Sequence, residues 1–298
     1  MHPKLDIYFG DNLEVLPTFP DSSFDLIYID PPFNTGKQQV RTQKRTVRDS
    51  AGKHKGFQGK RYRSVDLGTR SFDDHFDDFM AFLEPRIEHA QRLLTPTGSF
   101  LLHLDYREVH YAKVLTDSIF GRSSFINEII WAYDYGARSK KKWPAKHDNI
   151  LWYAKDPKPY TYRYEHMDRI PYMAPGLVTK EKAKRGKTPT DTWWHTIVSP
   201  SGKEKTGYPT QKPLGIVDRI VNIHTEPGDT VLDFFGGSGT LAESAIRQNR
   251  NAVMVDSNEE SMRVMARRLA FANPTFYGWE NPDADASGPS LPDSTLKA

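Results

Sequence analysis

The stretch Val231-Leu232-Asp233-Phe234-Phe235-Gly236-Gly237-Ser238-Gly239-Thr240 limits the possible folds of this chain more than any other. A short apolar run reads as a buried strand. The three glycines after it read as a tight turn, and a helical period begins at Thr240 and runs to about Gln248. Glycine lets a ligand approach the backbone closely, and a helix N-terminus offers free amides. The same alternation recurs along the chain. Strands are expected over Leu5–Phe9, Phe24–Ile29, Ser99–Leu104, Phe125–Trp131, Asn149–Tyr153 and Ala252–Val255. Helices are expected over Phe76–Leu94, Tyr111–Ile119, Leu214–His224 and a last segment to about Phe271. Strands alternating with helices argue for an α/β protein with a mostly parallel sheet covered on both faces.

Composition narrows the class. With 298 residues, 37% hydrophobic and 27% charged, the chain can bury a full core of ordinary globular type. Its longest apolar runs, such as Phe100–Leu104 and Ile126–Trp131, are too short to cross a bilayer, and the first residues lack the apolar core of a secretory signal. The cell interior is therefore the expected location. There are no cysteines, which excludes disulfides, thiolate metal sites and a cysteine nucleophile. His103, His147 and His195 are scattered without metal-ligand spacing, so no metal is expected.

The formal charge of +3 hides an uneven distribution. Between residues 34 and 70, Lys37, Arg41, Lys44, Arg45, Arg48, Lys53, Lys55, Lys60, Arg61, Arg63 and Arg70 face only Asp49 and Asp66, without an apolar period. This segment reads as either a mobile basic loop or a segment that orders only on binding. A second basic stretch contains Arg138, Lys140, Lys141, Lys142 and Lys146 and continues to Lys187. Two such runs in loop-like sequence point to a polyanionic partner.

Two motifs carry chemistry. In the first, Asp233 precedes the glycines, where a carboxylate can face a ligand's ammonium group. Asp256 closes the next strand, where an acidic side chain can hold ribose hydroxyls. Dinucleotide enzymes, kinases and structural turns share Gly-rich turns. Here the spacing departs from G-x-G-x-x-G, and with Asp233 it favours S-adenosylmethionine. The second motif, Asp30-Pro31-Pro32-Phe33-Asn34, follows a buried strand, at the sheet edge where α/β proteins bind ligands. The prolines lack N–H groups, which leaves carbonyls free beside one carboxylate and one aromatic ring. Methylating an exocyclic amine calls for such a set. Acceptors pull on the amine protons, and a ring stacks on an extruded base.

Together these motifs resemble those of the amino-directed DNA methyltransferases, which form N6-methyladenine or N4-methylcytosine. Asp30-Pro31-Pro32-Phe33 matches that family's [Asp/Asn/Ser]-Pro-Pro-aromatic motif, and Phe235-Gly236-Gly237-Ser238-Gly239 matches its Phe-x-Gly-x-Gly donor motif. Gly10-Asp11-Asn12 and Pro209-Thr210-Gln211-Lys212-Pro213 match further landmarks, and the similarity spans about residues 5 to 270. The catalytic motif precedes the donor motif, an order similar to the circularly permuted β group. The resemblance implies a Rossmann-like methyltransferase fold with a seven-stranded sheet and S-adenosyl-L-methionine as cofactor. It implies double-stranded DNA as partner, in the cytoplasm of a bacterial or archaeal cell, and leaves a homodimer and a cognate restriction endonuclease open. It assigns catalysis to Asp30, Pro31, Pro32 and Phe33. It assigns donor binding to Asp11, Asp30, Thr210, Lys212, Asp233, Phe235, Gly236, Gly237, Ser238, Gly239, Thr240 and Asp256, although Ser238 and Thr240 also suit helix capping. DNA contacts fall to Lys37, Arg41, Lys44, Arg45, Arg138, Lys140, Lys141 and Lys142.

The implied organisation is a catalytic half, 1–153, then a target-recognition insert, 154–206. A donor-binding half, 207–272, and a flexible tail, 273–298, complete it. Asp before Pro-Pro, followed by Asn34-Thr35-Gly36, favours adenine over cytosine. The competing class is methylation of RNA or of protein glutamine, whose enzymes usually place the glycine turn first. A DNA-binding module with a relic donor fold is more distant, because both motifs are intact.

Overall fold

In this computed structural model, residues 2–33, 39–48, 54–55, 61–72, 78–136, 138–199 and 202–282 are described, and for 39–48, 54–55 and 61–72 the description covers the backbone. The strands are β1 (Leu5–Phe9), β2 (Phe24–Ile29), β3 (Gln39–Arg48), β4 (His54–Lys55), β5 (Arg61–Phe72), β6 (Leu94–Asp105), β7 (Phe125–Ala132), β8 (His147–Ala154), β9 (Thr192–Trp194), β10 (Thr230–Asp233), β11 (Asn251–Asp256) and β12 (Thr275–Tyr277). The helices are α1 (Asn12–Val15), α2 (Phe79–Leu93), α3 (Val109–Phe120), α4 (Lys180–Arg185), α5 (Leu214–His224), α6 (Thr240–Arg247) and α7 (Glu259–Arg268).

One sheet runs in the order β12-β1-β11-β10-β2-β6-β8-β7-β9. Among the described residues it has nine strands where seven were expected. The difference lies in β12 and β9, three-residue strands that pair in parallel along the two outer edges. Only β8 runs against its neighbours, β6 and β7. Residues 275–277, assigned from sequence to a tail, are thus part of the sheet, and residues 283–298 lie outside the described residues. The basic segment also differs from its reading as a loop. β3, β5 and β4 form a separate antiparallel sheet, with Gln39 opposite Phe72 and Arg48 opposite Tyr62. Its polar sequence carries no core-facing period for sequence reading to detect.

Each face of the main sheet is covered. On one side Ile216, Val217, Ile220 and Val221 of α5, Leu241 and Ala245 of α6, and Met262 and Met265 of α7 pack on β1, β2, β10 and β11. On the other, Phe79, Leu83, Ile87 and Ala90 of α2 and Val109 and Ala112 of α3 pack on β2, β6 and β8. Connections from β10 lead through α6 outward to β11, while β2 leads through α2 to β6 on the opposite side. The boundary between β10 and β2 is therefore the point where the winding reverses, the crevice in which open α/β sheets bind ligands.

Among the described residues no helix is long and apolar enough to cross a membrane, and no group of three metal-binding side chains is found. His224, at the end of α5, sits edge-on to the Trp152 ring at 4.4 Å, and burial pushes its imidazole down to about 3. Folding thus holds His224 neutral. Its contribution to stability is present above the ordinary imidazole value and is lost as pH falls from there toward about 3. In His224→Phe, the loss of stability between those limits is expected to be shallower, measured by denaturant titration across pH. An unchanged acid limb would assign it to other groups.

Candidate active site

The parallel register of β10 and β2 sets Val231 beside Leu26 and Leu232 beside Ile27. The next residues, Asp233 and Tyr28, come level, and both strands then open into loops at the same edge. A cavity of about 530 Å³ lies there, a volume typical of small-ligand sites. Its walls include every residue expected at the donor and catalytic sites except Gly239. Gly239 stands just behind it at the N-cap of α6, with φ +74, and a Cβ there would lie 3.0 Å from Leu269 and Met265. Only glycine suits that position.

Lys212 joins the two chain segments. Its Nζ pairs with Asp30 Oδ2, across 182 positions of sequence, and lies 4.7 Å from the centre of the Phe33 ring. The other carboxylate oxygen, Asp30 Oδ1, is buried and has no partner. Gln211 braces the loop before Lys212, accepting from Thr206 N and Oγ1 at 2.8 Å and donating to the Glu204 carbonyl at 2.8 Å.

Around the glycine turn, Asp233 Oδ1 accepts from Phe235 N at 2.9 Å. Burial pushes the Asp233 carboxyl well above the usual range, and the nearby Asp30 and Asp256 add to this against Lys212. Asp256 accepts from Gly237 N at 2.7 Å, Asn258 N at 2.8 Å and Ser261 Oγ at 2.8 Å, and burial raises it too. Ser238 and Thr240 do not cap the helix, whose N-cap is Gly239 with no side-chain cap bond. Arg268 donates to Ser238 O and Oγ at 3.1 Å and to Thr240 Oγ1 at 2.8 Å, holding the turn from behind.

Several lining residues have no motif of their own. Arg86 of α2 is buried, donates to Asn12 Oδ1 at 2.8 Å and to the Phe82 carbonyl at 2.7 Å, and comes within 3.5 Å of Asp11. Asn12 in turn donates to the Phe234 carbonyl at 2.9 Å, tying the turn after β1 to the one after β10. In sequence Arg86 looks like one more charge on a helix. Only its place on the apolar face of α2, between Leu83 and Ile87, marks it. Tyr28 and Tyr208 also line the cavity. The Tyr28 hydroxyl meets His103 Nδ1 at 2.7 Å, and His103 Nε2 meets Asp148 at 3.3 Å.

Of the expected DNA-contacting residues, Arg138, Lys140, Lys141 and Lys142 are exposed on the loop between β7 and β8. Arg41, Lys44 and Arg45 lie along β3, and Lys37 lies outside the described residues.

The cavity suits the expected donor. Four carboxylates, Asp11, Asp30, Asp233 and Asp256, line it with Arg86 and Lys212 as the cations, so a ligand carrying ammonium and sulfonium charges relieves the repulsion among Asp30, Asp233 and Asp256.

A two-sided α/β sheet with a glycine turn, an acidic strand end and an Asp-Pro-Pro-Phe loop at its winding reversal defines a nucleoside-ligand enzyme of the methyltransferase type. The family model for DNA methylase, covering N6 and N4 enzymes, matches residues 24–267. This chain belongs to that family, the amino-directed, S-adenosylmethionine-dependent DNA methyltransferases. It is 27% identical over 271 residues to the type II methyltransferase M.HpaI of Haemophilus parainfluenzae, covering 91% of this chain and 75% of the relative. It is 28% identical over 275 residues to the DNA adenine methyltransferase YhdJ of Escherichia coli (strain K12), covering 90% and 83%. The solved complex of M1.HpyAVI with S-adenosylmethionine superposes with a TM-score of 0.57 at 22% identity, covering 89% of this chain and 98% of that one.

Asp233→Asn is expected to stabilise the ligand-free protein, by about 1 kcal/mol, because an uncharged group replaces a buried acid while its acceptor for Phe235 N is kept. The same change is expected to weaken S-adenosylmethionine binding at least about tenfold. In the unsubstituted protein, a bound ammonium favours ionised Asp233, so donor affinity falls as pH drops through its raised value. Thermal unfolding and calorimetry across pH check both. Equal donor affinity in the two proteins would remove Asp233 from the site.

Proposed function

We propose that this chain methylates the N6 amino group of an adenine extruded from double-stranded DNA. One observation carries the reading: Asp30 has one carboxylate oxygen held by Lys212 and the other buried without a partner beside Pro31, Pro32 and Phe33. An exocyclic amine is a poor nucleophile because its lone pair is delocalised into the ring. Asp30 Oδ1 and a backbone carbonyl of the Pro-Pro segment accept its two N–H groups and favour a tetrahedral nitrogen. Phe33 stacks on the extruded base. Asp30 Oδ1 receives the proton that the nitrogen gives up, while Lys212 limits its negative charge.

When bound, S-adenosylmethionine supplies an electrophilic methyl group. Asp233 and Asp256 hold its ammonium and ribose ends, and Asp11 lies near the adenine. Phe235, Gly236, Gly237, Ser238, Gly239 and Thr240 form the cradle, with Thr210 and Lys212 closing the carboxylate end. Arg41, Lys44, Arg45, Arg138, Lys140, Lys141 and Lys142 supply phosphate contacts, with Lys37 beside them in sequence. Residues 154–206 form the target-recognition segment between the catalytic and donor-binding halves.

Adenine is favoured by Asp30 before Pro-Pro, by Asn34-Thr35-Gly36 after it, and by a relative named as an adenine methyltransferase. N4 of cytosine is the second reading, since the family includes both acceptors. Digesting methylated DNA to nucleosides is expected to yield N6-methyladenine; N4-methylcytosine alone would overturn the adenine reading. With labelled methyl donor, incorporation is expected in DNA and not in RNA or protein. Asp30→Ala is expected to abolish transfer while donor binding stays measurable by calorimetry, because the other donor contacts lie on the glycine turn and its neighbours. Complete loss of donor binding would contradict that division. DNA affinity is expected to fall on the order of a thousandfold between about 50 and about 200 mM salt, as phosphate neutralisation releases counterions. A flat response would strip the basic segments of their role.

A further inference from the structure

We infer that Trp143 is the wedge that enters the DNA duplex and fills the gap left by the extruded base. This rests on the reading of the chain as a base-extruding methyltransferase and adds a residue to it. Among the described residues, Trp143 is the most exposed aromatic, with 95% of its surface in solvent, whereas Trp131, Trp152 and Trp193 are buried. It sits in the loop between β7 and β8 directly after Lys140, Lys141 and Lys142.

The sheet carries this loop to the catalytic edge. β2 and β6 are parallel, with Ile29 paired to Leu102. Beyond that level Asp105 pairs with Asp148, and Asp148 pairs with Trp131. The loop therefore leaves the sheet at the same edge as Asp30-Pro31-Pro32-Phe33. Its base is anchored there. Tyr133 N donates to the Lys146 carbonyl at 3.0 Å, and the Tyr133 hydroxyl donates to Asp148 at 3.0 Å. Asp148 also meets His103, whose ring lies 5.7 Å from Trp131 and 6.1 Å from Phe33. The loop base is thus tied through His103 to the ring proposed to hold the target base.

The tip is shaped for a polyanion. Ser139 Oγ accepts from Lys141 N at 3.1 Å and Lys142 N at 3.2 Å, forming a side-chain turn that displays the lysines. Asp134, the sole acid of the loop, is within 3.9 Å of Lys146 at the loop base, away from the lysine cluster. Phosphate-binding cations around a large bare ring suit a duplex. The cations hold the backbone, and an apolar ring inserted between base steps offsets lost stacking.

The test uses the full chain, a duplex bearing its mapped methylation site, and the same duplex with a mismatch opposite the target base. A mismatched base is easier to extrude, so it needs the wedge less. Trp143→Ala is expected to slow single-turnover methylation of the paired target about tenfold or more, and to return within about threefold of the unsubstituted rate on the mismatched target. Fluorescence of 2-aminopurine at the target position is expected to lose its rise on binding only with the paired duplex. Trp143→Phe is expected to keep much of the rate. Equal losses on both duplexes, or no loss, would overturn the wedge, as would a change confined to association between copies of the chain. If the unsubstituted protein methylates neither duplex, the reading as a DNA methyltransferase fails instead, and that outcome is distinct.

Discussion

Parallel hydrogen bonds between Phe24–Ile29 and Thr230–Asp233 bring together two loops that lie at opposite ends of the chain. Both strands are buried on both faces, so neither can shift register by one residue without turning Leu26 or Leu232 into the opposite core. That register sets Asp233 level with Tyr28 and brings Asp30 within reach of Lys212. The ion pair, and the placing of the unpartnered Asp30 oxygen beside the glycine turn, follow from it.

The electrostatics of the site follow from crowding. Asp30, Asp233 and Asp256 line one cavity, and burial and mutual repulsion raise Asp233 in particular. Such a cluster costs stability without a ligand. It persists because Arg86, Arg268, Asn12 and Gln211 hold the surrounding turns by hydrogen bonds to backbone and side chains. The strain of holding acids together is thereby placed where a cationic donor relieves it, a common exchange of stability for binding.

Much of this was legible in the chain. Phe24–Ile29, Leu214–His224 and Thr230–Asp233 have the ends that their turn residues and apolar periods predict. β6 begins at Leu94, five residues before its expected start at Ser99, and the other long elements shift by up to three residues, because caps and element ends resist reading. The edge strands β9 and β12 escaped notice since three residues hold no measurable period. The β3–β5 ladder escaped because its sequence is dominated by polar and basic residues, with no apolar alternation to read.

What the sequence determined alone is the inventory and its order: an Asp-Pro-Pro-Phe loop after one buried strand, a glycine turn after another, and basic segments between. Local chemistry encodes these, since proline, glycine and apolar runs act on their own neighbours. The tertiary structure decided which of them meet. Lys212 pairs with Asp30 rather than standing free, Arg86 is buried behind Asn12 instead of solvated, and Trp143 rises at the catalytic edge. Those outcomes depend on strand order, register and hairpin direction, which set contacts between residues far apart in the chain.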